Sequence, residues 1–354
     1  MRIISASFLV ATMLVGAPGV CFGQASLLTL SVAGGHACAI TASHHVVCWG
    51  QNRAGQLGVA TSEQPSPPIP SDPGDRISRI PVVVPSVRGA ISIRAGLSYS
   101  CALLDSGKVV CWGGGSTSVR EVNGLSGGIG LVRQTGSDRF CALLSTGYVC
   151  WEKDGGNRIE RNTPVRTIGF ATFDGPDPVA VPRVTGPCEV TGDSHARCWL
   201  SGSQSTTIDA PRKILQISPF FDGYCLLLDD GSVWCTLRLS HLPPAPRDPL
   251  GPVSGLTNIQ ALNCSFYFCL AIQDTGVTQL KVEAGSPTLP MPLTTKPIDG
   301  VFDAVEVSIG EDYVGCAKKS SGAISCWGNN RFGQLGRGSP ASGDLPPGLV
   351  IGFP

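Results

Sequence analysis

The side chains with the most chemical potential in this sequence are its cysteines, because a thiol can act as nucleophile, metal ligand or half of a disulfide. There are 15, and seven of them lead a recurring unit, at Cys38, Cys101, Cys141, Cys188, Cys225, Cys269 and Cys316. Six of the seven are followed nine or ten residues later by a second, at Cys48, Cys111, Cys150, Cys198, Cys235 and Cys326. Structural zinc sites leave roughly two to four residues between paired cysteines, so the spacing of nine or ten suits disulfides better than a metal, and Cys264 with Cys269 is the nearest thing to a ligand pair. The 5 histidines add little. His44 and His45 are adjacent in what reads as a hairpin tip, where neighbouring side chains point to opposite faces and do not chelate together. His36 sits inside the recurring unit and reads as structural. His195 occupies another hairpin tip and His241 a proline-rich loop, neither with a partner at metal-ligand spacing. No Gly-x-Ser-x-Gly elbow, phosphate loop, His-Glu-x-x-His motif or organised carboxylate pair occurs. We therefore expect no catalytic, cofactor-binding or metal-binding residues, and a protein that is not an enzyme.

The elements that must position the cysteines are clearest in the second unit. Cys101 to Leu104, then Asp105-Ser106-Gly107, then Lys108 to Trp112 read as two strands joined by a tight turn with glycine at its end. Pairing Leu104 with Lys108 sets Leu103 opposite Val109 and Cys101 opposite Cys111. Directly opposed residues in a non-hydrogen-bonded antiparallel pair lie about 4.5 Å apart at Cα, at the short end of what a disulfide accepts. In the third unit the tip is Ser145-Thr146 alone; the spacing falls from ten to nine and Cys141 still meets Cys150. The expected pairs are Cys38 with Cys48, Cys101 with Cys111, Cys141 with Cys150, Cys188 with Cys198, Cys225 with Cys235, and Cys316 with Cys326. The sixth unit lacks its second cysteine, which leaves Cys264 for Cys269. A continuous strand would hold these two roughly 17 Å apart, so the pair requires a turn just ahead of Cys269. Asn263-Cys264-Ser265 is also a glycosylation sequon.

Tryptophan follows the second cysteine in most units and so points to the opposite face of its strand. Both faces of each small sheet are meant to be covered, as in a propeller or a solenoid. Intervals of 63, 40, 47, 37, 44 and 47 residues between leading cysteines leave room for four short strands each. Glycine at 45, proline at 28 and a charged fraction of 15% favour short strands and tight turns over long helices. Positive and negative side chains balance at 26 each, and no long basic run supplies the footprint that nucleic acid requires.

Residues 1–23 read as an export signal: Arg2, an apolar run from Ile3 to Val15, and Cys21-Phe22-Gly23 ahead of the cleavage point. The run is shorter than the roughly 20 residues that span a bilayer, and Pro18 and Gly19 interrupt it. Pro18-Gly19-Val20 is a poor match to a lipidation signal at Cys21. Removing Cys21 from the 15 leaves fourteen, an even number suited to an oxidising compartment. The expected organisation is a signal over 1–23 and one propeller over 24–354, secreted or periplasmic, without a membrane in the mature form, and monomeric.

Units of about fifty residues ending in Cys-Trp-Gly, followed by Asn52-Arg53-Ala54-Gly55-Gln56-Leu57-Gly58 and again by Asn330-Arg331-Phe332-Gly333-Gln334-Leu335-Gly336, resemble the regulator-of-chromosome-condensation repeat. The middle units lack the Gly-Gln-Leu-Gly turn, and the sixth lacks the tryptophan as well as the second cysteine. The resemblance implies an all-β, seven-bladed propeller with binding loops at its two faces and no cofactor. Paired cysteines are typical of exported bacterial members. Some members are exchange factors for a small nuclear GTPase, which an exported chain would not meet, and some exported members inhibit β-lactamases. The expected function is a binding scaffold that presents loops to an extracellular or periplasmic protein or glycan, with enzyme inhibition as a narrower form. The alternative is a propeller hydrolase or lyase acting on extracellular polysaccharide. The serine- and proline-rich segment from Val59 to Pro81 is expected to be a surface loop and the first candidate for binding. The first unit lacks the proline, apolar and glycine stretch that opens the others, whereas the chain ends in Pro346 to Phe353. Leu349 to Phe353 are therefore expected to form a strand in the same blade as Leu28 to Cys48.

Overall fold

Each cysteine hairpin gains a strand on either side and becomes a four-stranded antiparallel sheet, and the computed structural model of the chain contains seven such sheets. It describes residues 28–65, 76–133, 138–152, 158–161, 168–170, 184–190, 192–200, 205–220, 223–236, 250–265, 268–274, 276–282 and 293–353, and among them no helix occurs. The expected signal peptide, Cys21 and His241 lie outside the described residues. The first blade pairs Leu30–Val32, His36–Ile40, Val46–Gln51 and Ile77–Val83 in that order. The other six repeat the order, opening on Ala90–Ala95, Gly128–Arg133, Ile168–Phe170, Ile214–Phe220, Ile259–Cys264 and Ala304–Ile309. These opening strands neighbour one another in chain order, and Ala304–Ile309 returns to lie against Leu30–Val32. The result is a closed seven-bladed propeller, with the opening strands around the axis.

Register inside the blades follows from the hairpin turns. Leu104 N–H donates to Lys108 O at 2.9 Å, Leu103 faces Val109, and Cys101 faces Cys111. The structure brings the sulfurs of all seven pairs, including Cys264 with Cys269, to disulfide distance, with Cα separations of 3.9 to 4.1 Å. In the sixth blade Leu280 stands opposite Cys269 where other blades have the second cysteine, and Cys264 of the opening strand takes over as partner. After the second cysteine the ladder slips at Gly50 and Gly113 by two residues and at Gly328 by one. These glycines have φ of 101°, 109° and 97°. A Cβ there would meet a carbonyl oxygen of the preceding turn at 2.5, 2.3 and 1.9 Å. Such a bulge admits only glycine, which accounts for the Cys-Trp-Gly signature.

The cores lie between blades. The sulfurs of Cys38 and Cys48 face the second blade, together with Trp112, whereas Trp49 on the other face of the same strand packs with Leu30, Val314, Leu335 and Val350 at the boundary with the seventh. In the fifth blade the order is Trp234-Cys235, yet Trp234 still packs toward the preceding blade, beside Cys188 and Cys198. One step before the cysteine and one step after it share a face, because side chains alternate.

The ends of the chain do not share a blade. Asp344–Leu349 is the fourth strand of the seventh blade, with Gly348 opposite Cys326, just as Val82 stands opposite Cys48 in the first. The expected strand over Leu349 to Phe353 is therefore displaced toward the N-terminus, and the ring closes by packing of faces instead of strand pairing. The physical reason is phase: the segment from Pro81 closes the first blade and does not open the second, so the first blade is already complete. Ile77–Val83 also corrects the expectation for Val59 to Pro81, since its last five residues belong to a strand with Ile77 and Ser78 buried.

Candidate binding face

In a four-stranded antiparallel blade the connections from first to second and from third to fourth strand emerge at one end, and the remaining ones at the other. The two ends differ sharply in this chain. At the second end the hairpin tips span at most five residues and the crossings to the next blade at most six. At the first end the third-to-fourth connections include 52–76, 237–249, 283–292 and 330–343. Long connections raised on a rigid ring are the usual place for recognition.

Two of these connections are built alike. Asn52 receives the Leu57 N–H on its Oδ1 at 3.0 Å and donates from Nδ2 to Val59 O at 2.7 Å. Asn330 receives Leu335 N–H at 3.1 Å and donates to Ala341 O at 2.8 Å. The glutamine of each Gly-Gln-Leu-Gly turn then offers its main-chain carbonyl to a tryptophan of the following blade: Trp112 Nε1 donates to Gln56 O at 2.9 Å, and Trp49 Nε1 to Gln334 O at 2.8 Å. The junction of the seventh blade with the first thus repeats that of the first with the second. At the junction into the third blade, where the turn is missing, Trp151 Nε1 is buried and has no partner among the described residues.

The opening strands supply a second set of ties. Ser31 Oγ accepts Ala95 N–H at 2.9 Å, Ser308 Oγ accepts Val32 N–H at 2.9 Å, and Asn263 Oδ1 accepts Ile309 N–H at 3.0 Å. Each bond runs from one blade to the next, and the sequon asparagine is spent on one of them. Near the mouth of the axis Arg133 of the third blade pairs with Glu311 of the seventh at 2.6 Å, both nearly buried. His36 is fully buried beneath, with Nε2 2.9 Å from Ser100 Oγ and Nδ1 without a partner. Burial, with a smaller contribution from Arg133, lowers its pKa to about 3, so it is neutral and structural. Burial likewise raises the carboxyl pKa of Asp312 beside Glu311. Leu97 and Tyr313 stand exposed on turns at this end, and Tyr313 holds φ of 60°, which is strained for an aromatic residue.

A cleft of about 590 Å³ opens at this end between the sixth and seventh blades. Trp327, Tyr313, Ile298 and Pro347 line it, and Lys296, Asp299 and Asp344 add charge. Trp327, Gly328, Pro346 and Pro347 of this cleft were marked in the sequence only as parts of a blade, and the Arg133 and Glu311 pair was not marked at all.

The histidines are dispersed. His44, with φ of 59°, reaches Ala90 O at 3.1 Å and ties a tip to the next blade, while His195 Nδ1 lies 2.8 Å from Asp209 Oδ1 at the surface. The sulfurs of Cys225, Cys264 and Cys269 lie within 4.8 Å of one another. Each is at disulfide distance from its partner, and a disulfide sulfur is no thiolate ligand.

The profile described as the Regulator of chromosome condensation (RCC1) repeat matches residues 33–56 and 90–117. A search of the curated proteins finds no match to the sequence. Among solved structures the chain is similar to PorZ, a bacterial surface component of the type-IX secretion system of Porphyromonas gingivalis, at 12% identity and a TM-score of 0.54. The likeness covers 93% of this chain and 39% of that one, so the chain spans about two fifths of PorZ's length. Yeast RCC1 (Prp20), solved bound to Kap60, gives 15% identity, a TM-score of 0.45 and coverage of 91% and 74%. Human WBSCR16 gives 16% identity, a TM-score of 0.45 and coverage of 91% and 81%.

Proposed function

We infer that this chain, a seven-bladed propeller of RCC1-like repeats, is a binding scaffold of an oxidising compartment, secreted or periplasmic, and that it holds a protein partner on the face that carries its long connections. The observation that carries the reading is the asymmetry of the two ends: connections of up to 25 residues (52–76) at one, none longer than six at the other. A ring tied by hairpin disulfides and by bonds from blade to blade is a rigid base for the ends of these connections, which lowers the ordering cost of the ring itself on binding. The exposed Leu97 and Tyr313 and the aromatic cleft provide the apolar anchors on which protein interfaces depend. Glu311 is engaged by Arg133, which leaves it a poor acid for the polysaccharide-cleaving alternative.

The test uses the mature protein immobilised in its native extracytoplasmic fraction, with Leu97→Arg on the long-connection face and Phe302→Glu on the other. The captured partner is expected to be lost with the first and retained with the second. Loss with the second alone would overturn the choice of face, and turnover of a polysaccharide by the purified protein would overturn the scaffold reading.

A further inference from the structure

In six blades the cysteine pair ties the second strand to the third, whereas in the sixth blade it ties the first to the second. The difference reaches beyond the choice of partner. Counted along the ladders, Asn263 faces Leu270 as Ser31 faces Cys38 and Ser308 faces Cys316, so Leu270 holds the place that a leading cysteine has elsewhere. Cys264 and Cys269 then stand where the first blade has Val32 and Ala37, on the other face of their strands because side chains alternate. Leu280, opposite Cys269, answers to Trp49, opposite Ala37. The sixth pair therefore turns toward the blade before it, on the face where other blades set the junction tryptophan, while the fifth pair turns toward the blade after it.

Two pairs consequently meet at one junction. Cys225, Cys235, Cys264 and Cys269 share a buried core with Leu227, Val233 and Leu280, and among the described residues no other core holds two pairs. The sulfurs of Cys225, Cys264 and Cys269 lie within 4.8 Å of one another. Cys264 ends the opening strand Ile259–Cys264, which packs against Gly223–Leu228, the strand that carries Cys225. Bonded sulfurs stand about 2.05 Å apart, so a bridge from Cys225 to Cys264 needs an approach of under about 3 Å.

We propose that this junction is a redox relay, in which a dithiol reductant converts two pairs that lie within blades into one bridge between blades, Cys225 with Cys264. Cys264, the most open of the four at 6% exposure, is where a thiolate of the reductant attacks; a mixed disulfide forms there and Cys269 leaves as its thiolate. The second thiolate of the reductant attacks its own sulfur in the mixed disulfide, closes an internal disulfide and releases Cys264. The two electrons and two protons given up by the dithiol then reside in the thiols of Cys264 and Cys269. The Cys264 thiolate next attacks Cys225 Sγ, the bond from Cys225 to Cys235 breaks, and Cys235 takes up the proton that Cys264 lost. This last step is redox-neutral and leaves one disulfide and two thiols, at Cys235 and Cys269. The ring gives up two staples within blades and gains a covalent tie across a junction, which none of the seven pairs provides. The exchange is internal, between sulfurs already held close, so it outruns exchange with a second molecule.

The test adds dithiothreitol, a dithiol, stepwise to the full mature protein, labels thiols with N-ethylmaleimide in mild acid, where exchange is slow, and maps peptides without further reduction. In molecules that have gained two thiols, label is expected on Cys235 and Cys269, with the Cys225 and Cys264 peptides joined. That bridge is expected to be at least about tenfold more abundant than one between any other two blades. Label on Cys264 and Cys269 with Cys225 still joined to Cys235 would overturn the proposal, and so would first label on the pair of any other blade. Two double variants then separate the geometry from the reductant. Cys235→Ser with Cys269→Ser leaves Cys225 and Cys264, which are expected to close a bridge in air and to leave no thiol at this junction. Cys225→Ser with Cys264→Ser leaves Cys235 and Cys269, which are expected to remain two free thiols. Free thiols in the folded first variant, or a bridge formed as readily in the second, would overturn the assignment, and if neither variant folds the map of the parent protein decides.

Discussion

The junction bonds make tryptophan replacement unequal from blade to blade, and the inequality is calculable. Trp49 and Trp151 are both buried, at 0% and 2% exposure, and both follow the second cysteine of their hairpin. Replacing either with phenylalanine removes the same ring atoms from a packed core, at a cost of about 1 to 3 kcal/mol. Beyond that the two diverge. Trp49→Phe leaves the carbonyl of Gln334, a residue with 0% exposure, without its donor, which adds about 1 to 3 kcal/mol. Trp151→Phe deletes a buried N–H that has no partner among the described residues, so it recovers part of a desolvation cost already present in the native fold. The two variants should differ by about 2 to 4 kcal/mol, or about 4 to 8 °C in melting temperature for a chain of this size. The assay is guanidinium unfolding with the disulfides intact, run beside a thermal scan, with Trp112→Phe as an intermediate case, because Gln56 O keeps the Ser100 Oγ donor at 2.9 Å. Equal losses for Trp49→Phe and Trp151→Phe, or a larger loss for the latter, would refute the junction account.

Glu311→Gln leaves the nearly buried Arg133 guanidinium with a neutral partner and should cost about 3 kcal/mol, much of it restored in a double variant that also carries Arg133→Met, as measured in a double-mutant cycle. Because burial lowers the His36 pKa to about 3, the unfolded chain binds a proton that the folded chain refuses between that value and 6.5. The stability tied to neutral His36 is complete above pH 6.5 and is lost as pH falls through this window, by up to about 4 kcal/mol. Burial raises the Glu306 pKa, so that group works in the opposite sense. The informative quantity is therefore the difference between the parent and His36→Asn, which should shrink on acidification; a constant difference would contradict it. Removing residues 350–354 strips Val350 and Phe353 from the Trp49 side of the closing junction and should lower the melting temperature in a single transition. A truncated chain that melts like the parent would show that this junction does not limit the ring. Peptide mapping without reduction should find only the seven local cysteine pairs, and a bridge between blades would contradict the blade assignment.

Much of the ring was legible because its signals are local. The separation of Cys101 from Cys111, with Asp105-Ser106-Gly107 between them, fixes a hairpin register before any tertiary contact is known. Phase was not legible, since a strand of proline and valine such as Ile77–Val83 reads equally well as the end of one blade or the start of the next, and only its pairing with Val46–Gln51 decides. That ambiguity produced the expectation of a shared terminal blade. The face was legible only in part: Asn52 to Gly58 announces a structured turn, but its carbonyl bond to Trp112, 56 residues away, is a property of neighbouring blades. Arg133 and Glu311, 178 residues apart, meet because the ring closes, and nothing in either neighbourhood marks them.

The most direct test of the scaffold reading is a hydrogen-exchange footprint of the complex with the partner captured from the native extracytoplasmic fraction. Protection is expected at residues 33–35, 52–65, 96–98, 310–314 and 330–343, which share one end of the ring. Protection confined to the tips at 41–45, 105–108, 229–232 and 320–323 would place the partner on the opposite face and contradict it.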